Sequence, residues 1–221
     1  MKKLFAVLLA LSMLFALAAC GAAGVKDASV PDDDQIPSAS APDAAPSDTP
    51  SDGSSNKPAN SDTKSLVVYF SWSGNTENVA KSIQSQTGSD IFEIVPKTPY
   101  STDYSTVVDD AKVEQQNNAR PEIKDSIPNI ADYDTVYIGF PNWWGDMPMI
   151  LYTFFDTYDL SGKTVALFCT SGGSGLSNTV NEVKELEPNA TVTKGLHIDS
   201  GASSNPDSAV KSWLDEIGTA N

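Results

Sequence analysis

Four short stretches of the chain are nearly continuous in apolar, β-branched or aromatic residues: Ser65–Phe70 (SLVVYF), Asp90–Val95 (DIFEIV), Thr135–Phe140 (TVYIGF) and Thr164–Thr170 (TVALFCT). A strand with one wet face alternates apolar and polar residues, whereas a strand buried on both faces does not. These runs therefore require a parallel sheet covered on both sides. The segments between them suit the covering helices. After Thr76, the residues Val79, Ala80 and Ile83 form an apolar stripe that stops at Gly88, and further helices fit 104–117, 147–156, 174–186 and 206–217, with a fifth strand at 190–195. Such alternation predicts a doubly wound α/β sandwich of three layers around a five-stranded parallel sheet. The stretch from Pro96 to Tyr133 is long for one crossover, and its second half, RPEIKDSIPNIADY, is not placed by pattern. The polar stretch Asp109–Arg120 reads as a solvated helix face.

The first 63 residues have a different character. Met1, Lys2 and Lys3 precede an apolar run from Leu4 to Ala19 broken only by Ser12, the pattern of an export signal and too short to span a bilayer core. The run closes with Leu17-Ala18-Ala19-Cys20-Gly21, which resembles the lipobox of bacterial lipoproteins. That resemblance implies a signal peptide at 1–19 and a lipid-modified Cys20 holding the protein to the cell membrane on its extracytoplasmic face. From Gly21 to Thr63 there is no aromatic residue and no Leu, and Pro, Ser, Asp and Ala dominate. Residues 20–63 are thus expected to be a lipidated Cys followed by an extended, self-repelling tether, and 64–221 the folded domain.

Charge and ligand counts remove several functions. Fourteen basic and twenty-nine acidic residues give a formal net charge of -15, which argues against nucleic acid as a partner, since phosphate binding needs a basic face. One His and two Cys cannot furnish a zinc site.

In an open parallel sheet, ligands sit outside the carboxyl ends of the strands, so the loops after the first, third and fourth strands carry the chemistry. The first, Ser71-Trp72-Ser73-Gly74-Asn75-Thr76, puts backbone N–H groups, hydroxyls and a Gly at a helix N-terminus. A phosphate can be held in this way without a cation. The second, Pro141-Asn142-Trp143-Trp144-Gly145-Asp146, sets two Trp where polar turn residues are usual. Core filling explains one Trp better than two, and a flat aromatic ligand explains the pair. The third, Thr170-Ser171-Gly172-Gly173-Ser174-Gly175, is mostly backbone and permits close approach of a ligand edge.

These loops resemble those of the flavodoxin family, specifically flavodoxin-like bacterial proteins with PxWWG and TxGGSG loops, over essentially all of 64–221. The resemblance implies a flavodoxin-like three-layer sandwich with FMN as cofactor. It implies Ser71, Ser73, Gly74, Asn75 and Thr76 on the FMN phosphate, with Trp72 in the same cofactor-binding loop. Pro141, Asn142, Trp143, Trp144 and Gly145 would flank the isoalloxazine, and Thr170, Ser171, Gly172, Gly173 and Gly175 would meet its pyrimidine edge or the ribityl chain. One departure is that electron-carrying flavodoxins place a Tyr over the outer ring face from the third loop, and CTSGGSG has none. The implied function is FMN-dependent electron transfer at the outer face of the cell membrane, as a carrier or a small reductase. Its partner would be a redox protein or a small quinone-like acceptor. Two other readings stay open: an NAD(P)H-dependent quinone reductase, and a flavin-free envelope binding module on the same fold.

Three features are left out of the site. His197 is assigned a surface or strand-end role, and Cys169, at the end of an apolar strand, a buried inert one. Asp199-Ser200-Gly201-Ala202-Ser203-Ser204 resembles sites where some exported proteins take FMN through a phosphoester, but a non-covalent site is already present.

Overall fold

The computed structural model describes residues 63–219, so the signal segment, Cys20 and nearly all of the tether lie outside the described residues. Every strand pairing is parallel. The strands β1 (Ser65–Tyr69), β2 (Asp90–Glu93), β3 (Thr135–Pro141), β4 (Thr164–Ser171), β5 (Thr191–Val192) and β6 (Leu196–Asp199) form one sheet in the order β2-β1-β3-β4-β5, with β6 also on β4. The helices are α1 (Asn75–Thr87), α2 (Tyr104–Gln116), α3 (Met149–Thr157), α4 (Thr179–Leu186) and α5 (Asp207–Ile217). This is the flavodoxin-like α/β sandwich that the apolar runs require.

Alternate residues of each strand serve opposite faces. Val67, Tyr69, Tyr137 and Phe168 pack on Val79, Ile83, Val210 and Trp213 of α1 and α5. Val68, Phe70, Ile138 and Leu167 pack on Ile150, Leu151, Phe154 and Val183 of α3 and α4. With both faces covered, none of the central strands could afford alternation.

The structure differs from the sequence expectation in three places. The single strand expected at 190–195 is two short strands in one lane: β5 pairs β4 at Thr164 and Val165, and β6 pairs it from Phe168 to Ser171. Between them the chain passes so close to Leu176 that a Cβ on Gly195 would lie 2.8 Å from its Cδ1. The Lys194 carbonyl, released from the ladder, accepts a bond from Trp213 Nε1 at 2.8 Å. Second, α3 and α4 start later than 147 and 174, because Pro148 ends the preceding extended segment and Gly175 and Ser177 have positive φ. Third, the unplaced stretch returns antiparallel along the end of β2: Lys97 N–H donates to Glu122 O and Lys124 N–H to Val95 O, both at 2.8 Å. A short 3-10 turn at Ile130–Asp132 then leads into β3.

Candidate functional site

The three loops leave the carboxyl ends of β1, β3 and β4, which are adjacent in the sheet, so they meet without needing one another in sequence. In the first, Gly74 precedes α1 with φ +84 and offers no side-chain cap. Ser71 Oγ takes over part of that role, accepting bonds from Gly74 N–H (3.1 Å) and Glu77 N–H (3.3 Å). The N–H groups of Ser73, Asn75 and Thr76 find no acceptor among the described residues, and Thr76 is almost fully buried. Unpaired donors at the positive end of a helix are the condition an anion satisfies. The nearest cation of the segment, Lys81, is paired with Glu77 at 2.5 Å, so the backbone would do the holding. A phosphate monoester fits this donor set.

The second loop is a tight turn. Trp143 and Asp146 exchange backbone bonds at 2.9 and 3.1 Å, and Trp144 (φ 56) and Gly145 (φ 83) are both left-handed. That turn usually takes Asn or Gly at its first central position, so a Trp there is held at some cost. The two Trp do different things. Trp143 packs edge-on against Phe70 (5.4 Å between ring centroids) and Tyr100 (5.2 Å), as part of the core margin. Trp144 is 51% exposed; its Nε1 donates to Val108 O at 3.0 Å, and Lys112 Nζ lies 4.4 Å from its ring centroid. Trp143 belongs to both the core margin and the cleft lining, and Trp144 is an exposed wall.

That wall bounds a cleft of about 270 Å³ lined by Trp72, Tyr104, Val107, Val108, Ala111, Asn142, Trp143 and Trp144. Trp72 is fixed by a bond from its Nε1 to Ser101 O (2.9 Å) and leans on Tyr104. Flat aromatic walls with few polar groups suit a planar ring. Four of the lining residues belong to α2 and are absent from the sequence-derived site. Tyr104, Val107, Val108 and Ala111 stand at i, i+3, i+4 and i+7, a helical stripe that periodicity could have found within the helix expected at 104–117.

The third loop does not line the cleft but is tied to both other loops. Asn142 lines the cleft, donates through Nδ2 to Gly175 O (3.0 Å) and Ser177 Oγ (2.9 Å), and accepts from Gly145 N–H (3.0 Å). The hydroxyls of Thr76 and Thr170 bond each other at 2.8 Å, joining the first loop to the third. Ser171 Oγ accepts from the N–H groups of Gly173 and Gly175 and bonds His197 Nε2 at 2.8 Å. Cys169, fully buried beneath, has its thiol pushed up to about 12 by burial, in keeping with an inert role.

Behind the second loop lies a carboxyl pair. Tyr152 O–H points at Asp146 (2.9 and 3.0 Å to its two oxygens) and lies 3.4 Å from Glu182 Oε2. Burial first, and then the neighbouring Asp146, push the Glu182 carboxyl up to about 7.

The chain is similar to known proteins. The sequence pattern of the family described as Flavodoxin matches residues 64–217. A candidate flavoprotein from Bacteroides eggerthii is 35% identical, with a TM-score of 0.64, over 71% of this chain and 98% of its own. One from Bacteroides uniformis is 34% identical, with a TM-score of 0.63, over 69% and 98%. A flavoprotein from Lactobacillus acidophilus, solved in complex with FMN, is 28% identical, with a TM-score of 0.57, over 71% and 99%. No curated protein matches the chain. The matched stretch, the strand order and the three convergent loops together place this chain in the flavodoxin family.

Proposed function

We propose that this protein binds FMN and transfers electrons at the outer face of the cell membrane, to which a lipid on Cys20 tethers it. The observation that carries the reading is the set of unpaired N–H groups of Ser73, Asn75 and Thr76 beside an aromatic cleft. The FMN-bound relative from Lactobacillus acidophilus supports it. The first loop would take the phosphate on backbone donors, Trp72 and Trp144 would flank the ring, and Asn142 would fix the third loop against it. FMN supplies the electron chemistry when bound, and the protein sets its position and surroundings. The Trp144 and Tyr104 rims stand exposed, which leaves room for either a redox protein or a small quinone-like acceptor to approach.

The test is a parallel titration of residues 64–221 with FMN and riboflavin. The family pattern matches 64–217, and 69–71% of this chain covers 98–99% of the relatives' own length, so this part is tested as a unit. FMN should bind more tightly than riboflavin by at least about tenfold, since charge-assisted bonds to the phosphate are the difference. Binding of neither would overturn the electron-transfer reading in favour of a flavin-free binding module. Oxidation of NAD(P)H in the presence of a quinone by the FMN-loaded protein would make it a reductase, and its absence a carrier. For the anchor, Cys20→Ser should move the protein from the membrane fraction to the soluble one.

A further inference from the structure

The segment from His197 to Ser203 does not line the cleft, yet it touches two of the three loops. At its start, Ser171 Oγ receives N–H donors from Gly173 (3.3 Å) and Gly175 (3.0 Å). Two acceptances occupy both lone pairs of a hydroxyl, so the Ser171 proton is left to donate to His197 Nε2 at 2.8 Å. The imidazole must then carry its own proton on Nδ1. The arrangement turns the Ser171 hydroxyl inward as a staple across the third loop, and His197 is what keeps it there.

At the other end of the segment, Ser203 is almost wholly buried, with its Oγ 2.8 Å from both Asn75 Oδ1 and Ser200 O. Asn75 begins α1 inside the first loop. The single Ser203 proton is shared between these two acceptors, and the contact ties the Asn75 amide to this segment beside the N–H groups of the first loop. Between the two contacts the chain is made stiff by Asp199, which accepts from Gly201 N–H at 2.9 Å and starts a 3-10 turn. The break between β5 and β6 lets the second half of the lane occupy this place, with His197 level with Cys169 on β4.

We propose that residues 197–203 brace the flavin site, with His197 and Ser203 as positioning residues: His197 shapes the third loop through Ser171, and Ser203 shapes the phosphate loop through Asn75. The inference rests on the FMN reading for its purpose but not for its geometry. The two arms predict different signatures. Losing His197 loosens the loop that meets the ring edge or ribityl chain, which FMN and riboflavin share. Losing Ser203 disturbs the loop that meets the phosphate, which riboflavin lacks.

The experiment uses the full chain in detergent, as wild type and as His197→Ala, His197→Gln, Ser171→Ala, Ser171→Ala with His197→Ala, and Ser203→Ala. Hydrogen exchange of peptides spanning 171–177 and 71–77 is followed without flavin, and affinities for FMN and riboflavin are then measured. His197→Ala should speed exchange in 171–177 by about tenfold, the worth of one ordinary hydrogen bond, and weaken both ligands by a similar factor. Glutamine, whose Oε1 can accept the Ser171 proton, should restore most of this. Ser171→Ala should speed exchange more than His197→Ala, because it also removes the acceptor of Gly173 and Gly175 N–H, and the double variant should match Ser171→Ala, since His197 acts only through that hydroxyl. Ser203→Ala should speed exchange in 71–77 and weaken FMN while leaving riboflavin unchanged. Exchange in 171–177 that is unmoved by His197→Ala, or equal losses for both ligands in Ser203→Ala, would overturn the brace. If the wild type binds no flavin, the FMN reading falls, and the exchange data alone decide whether the brace exists.

Discussion

Trp143 and Trp144 both line the cleft, but only Trp143 also packs into the core margin, and single substitutions should separate the two. Trp143 lies between Phe70 and Tyr100, so Trp143→Ala should destabilise the domain by about 3 kcal/mol, read from denaturant midpoints. Trp144 is half exposed with a left-handed backbone that costs a bulky residue about 1 kcal/mol. Trp144→Gly relieves that cost while removing the bond to Val108, so stability should change by less than about 1 kcal/mol while flavin affinity falls. Gly74, with φ +84, behaves differently again. A Cβ there would meet nothing within 4 Å, so the penalty of Gly74→Ala is conformational, about 1–2 kcal/mol, and FMN should lose more affinity than riboflavin. At this scale the sequence makes the strand-end loops legible as loops, as in SWSGNT and NWWG, but not that Trp143 turns into the core margin while Trp144 stays exposed. It was not readable where partners are far apart along the chain. Nothing near His197 announces Ser171, twenty-six positions earlier, because the pairing exists only through the register of β6 on β4.

Among elements, the contact of α4 with the second loop should make stability depend on pH. Glu182 on α4 faces Asp146 across Tyr152, and burial together with that neighbour raises its carboxyl to about 7. A carboxyl with a raised folded pKa binds a proton more tightly folded than unfolded. Its contribution is complete below the ordinary carboxylate range and is lost as pH climbs through about 7. Glu93, Glu114 and Glu187 are raised by burial as well and act in the same direction. The melting temperature should therefore fall between pH 5 and pH 8. Glu182→Gln should flatten that fall, raising the melting temperature at pH 8 with little effect at pH 5; equal effects at both would exclude the assignment. The apolar runs announced the strands and their burial because a doubly covered strand has no alternative pattern. Element ends were less legible: Pro148, the positive φ of Ser177, and the close pass of Gly195 by Leu176 decide them, and each depends on tertiary neighbours. The stripe of α2 that lines the cleft is missed by the strand-end rule, which points to the loops and not to a neighbouring helix face.

For the molecule as a whole, charge is the dominant property. Residues 64–221 carry ten basic and twenty-one acidic side chains, net -11. Each net charge about 10 Å from the ring opposes placing a further negative charge there by roughly 0.4–1.7 kcal/mol before salt screening. The second-electron potential of bound FMN should therefore lie below that of free FMN and rise with added salt, as potentiometric titration can check. The same charge favours basic partners over nucleic acid. The broken lane of β5 and β6 has one more consequence, unconnected with flavin. It forms one margin of the sheet, and a margin of two residues, an interruption and four residues offers an incoming strand no continuous row of donors and acceptors. The opposite margin, β2, is itself only four residues long. Neither side can serve as a template for strand addition, so copies crowded together are protected from edge-to-edge aggregation by the shape of the sheet itself.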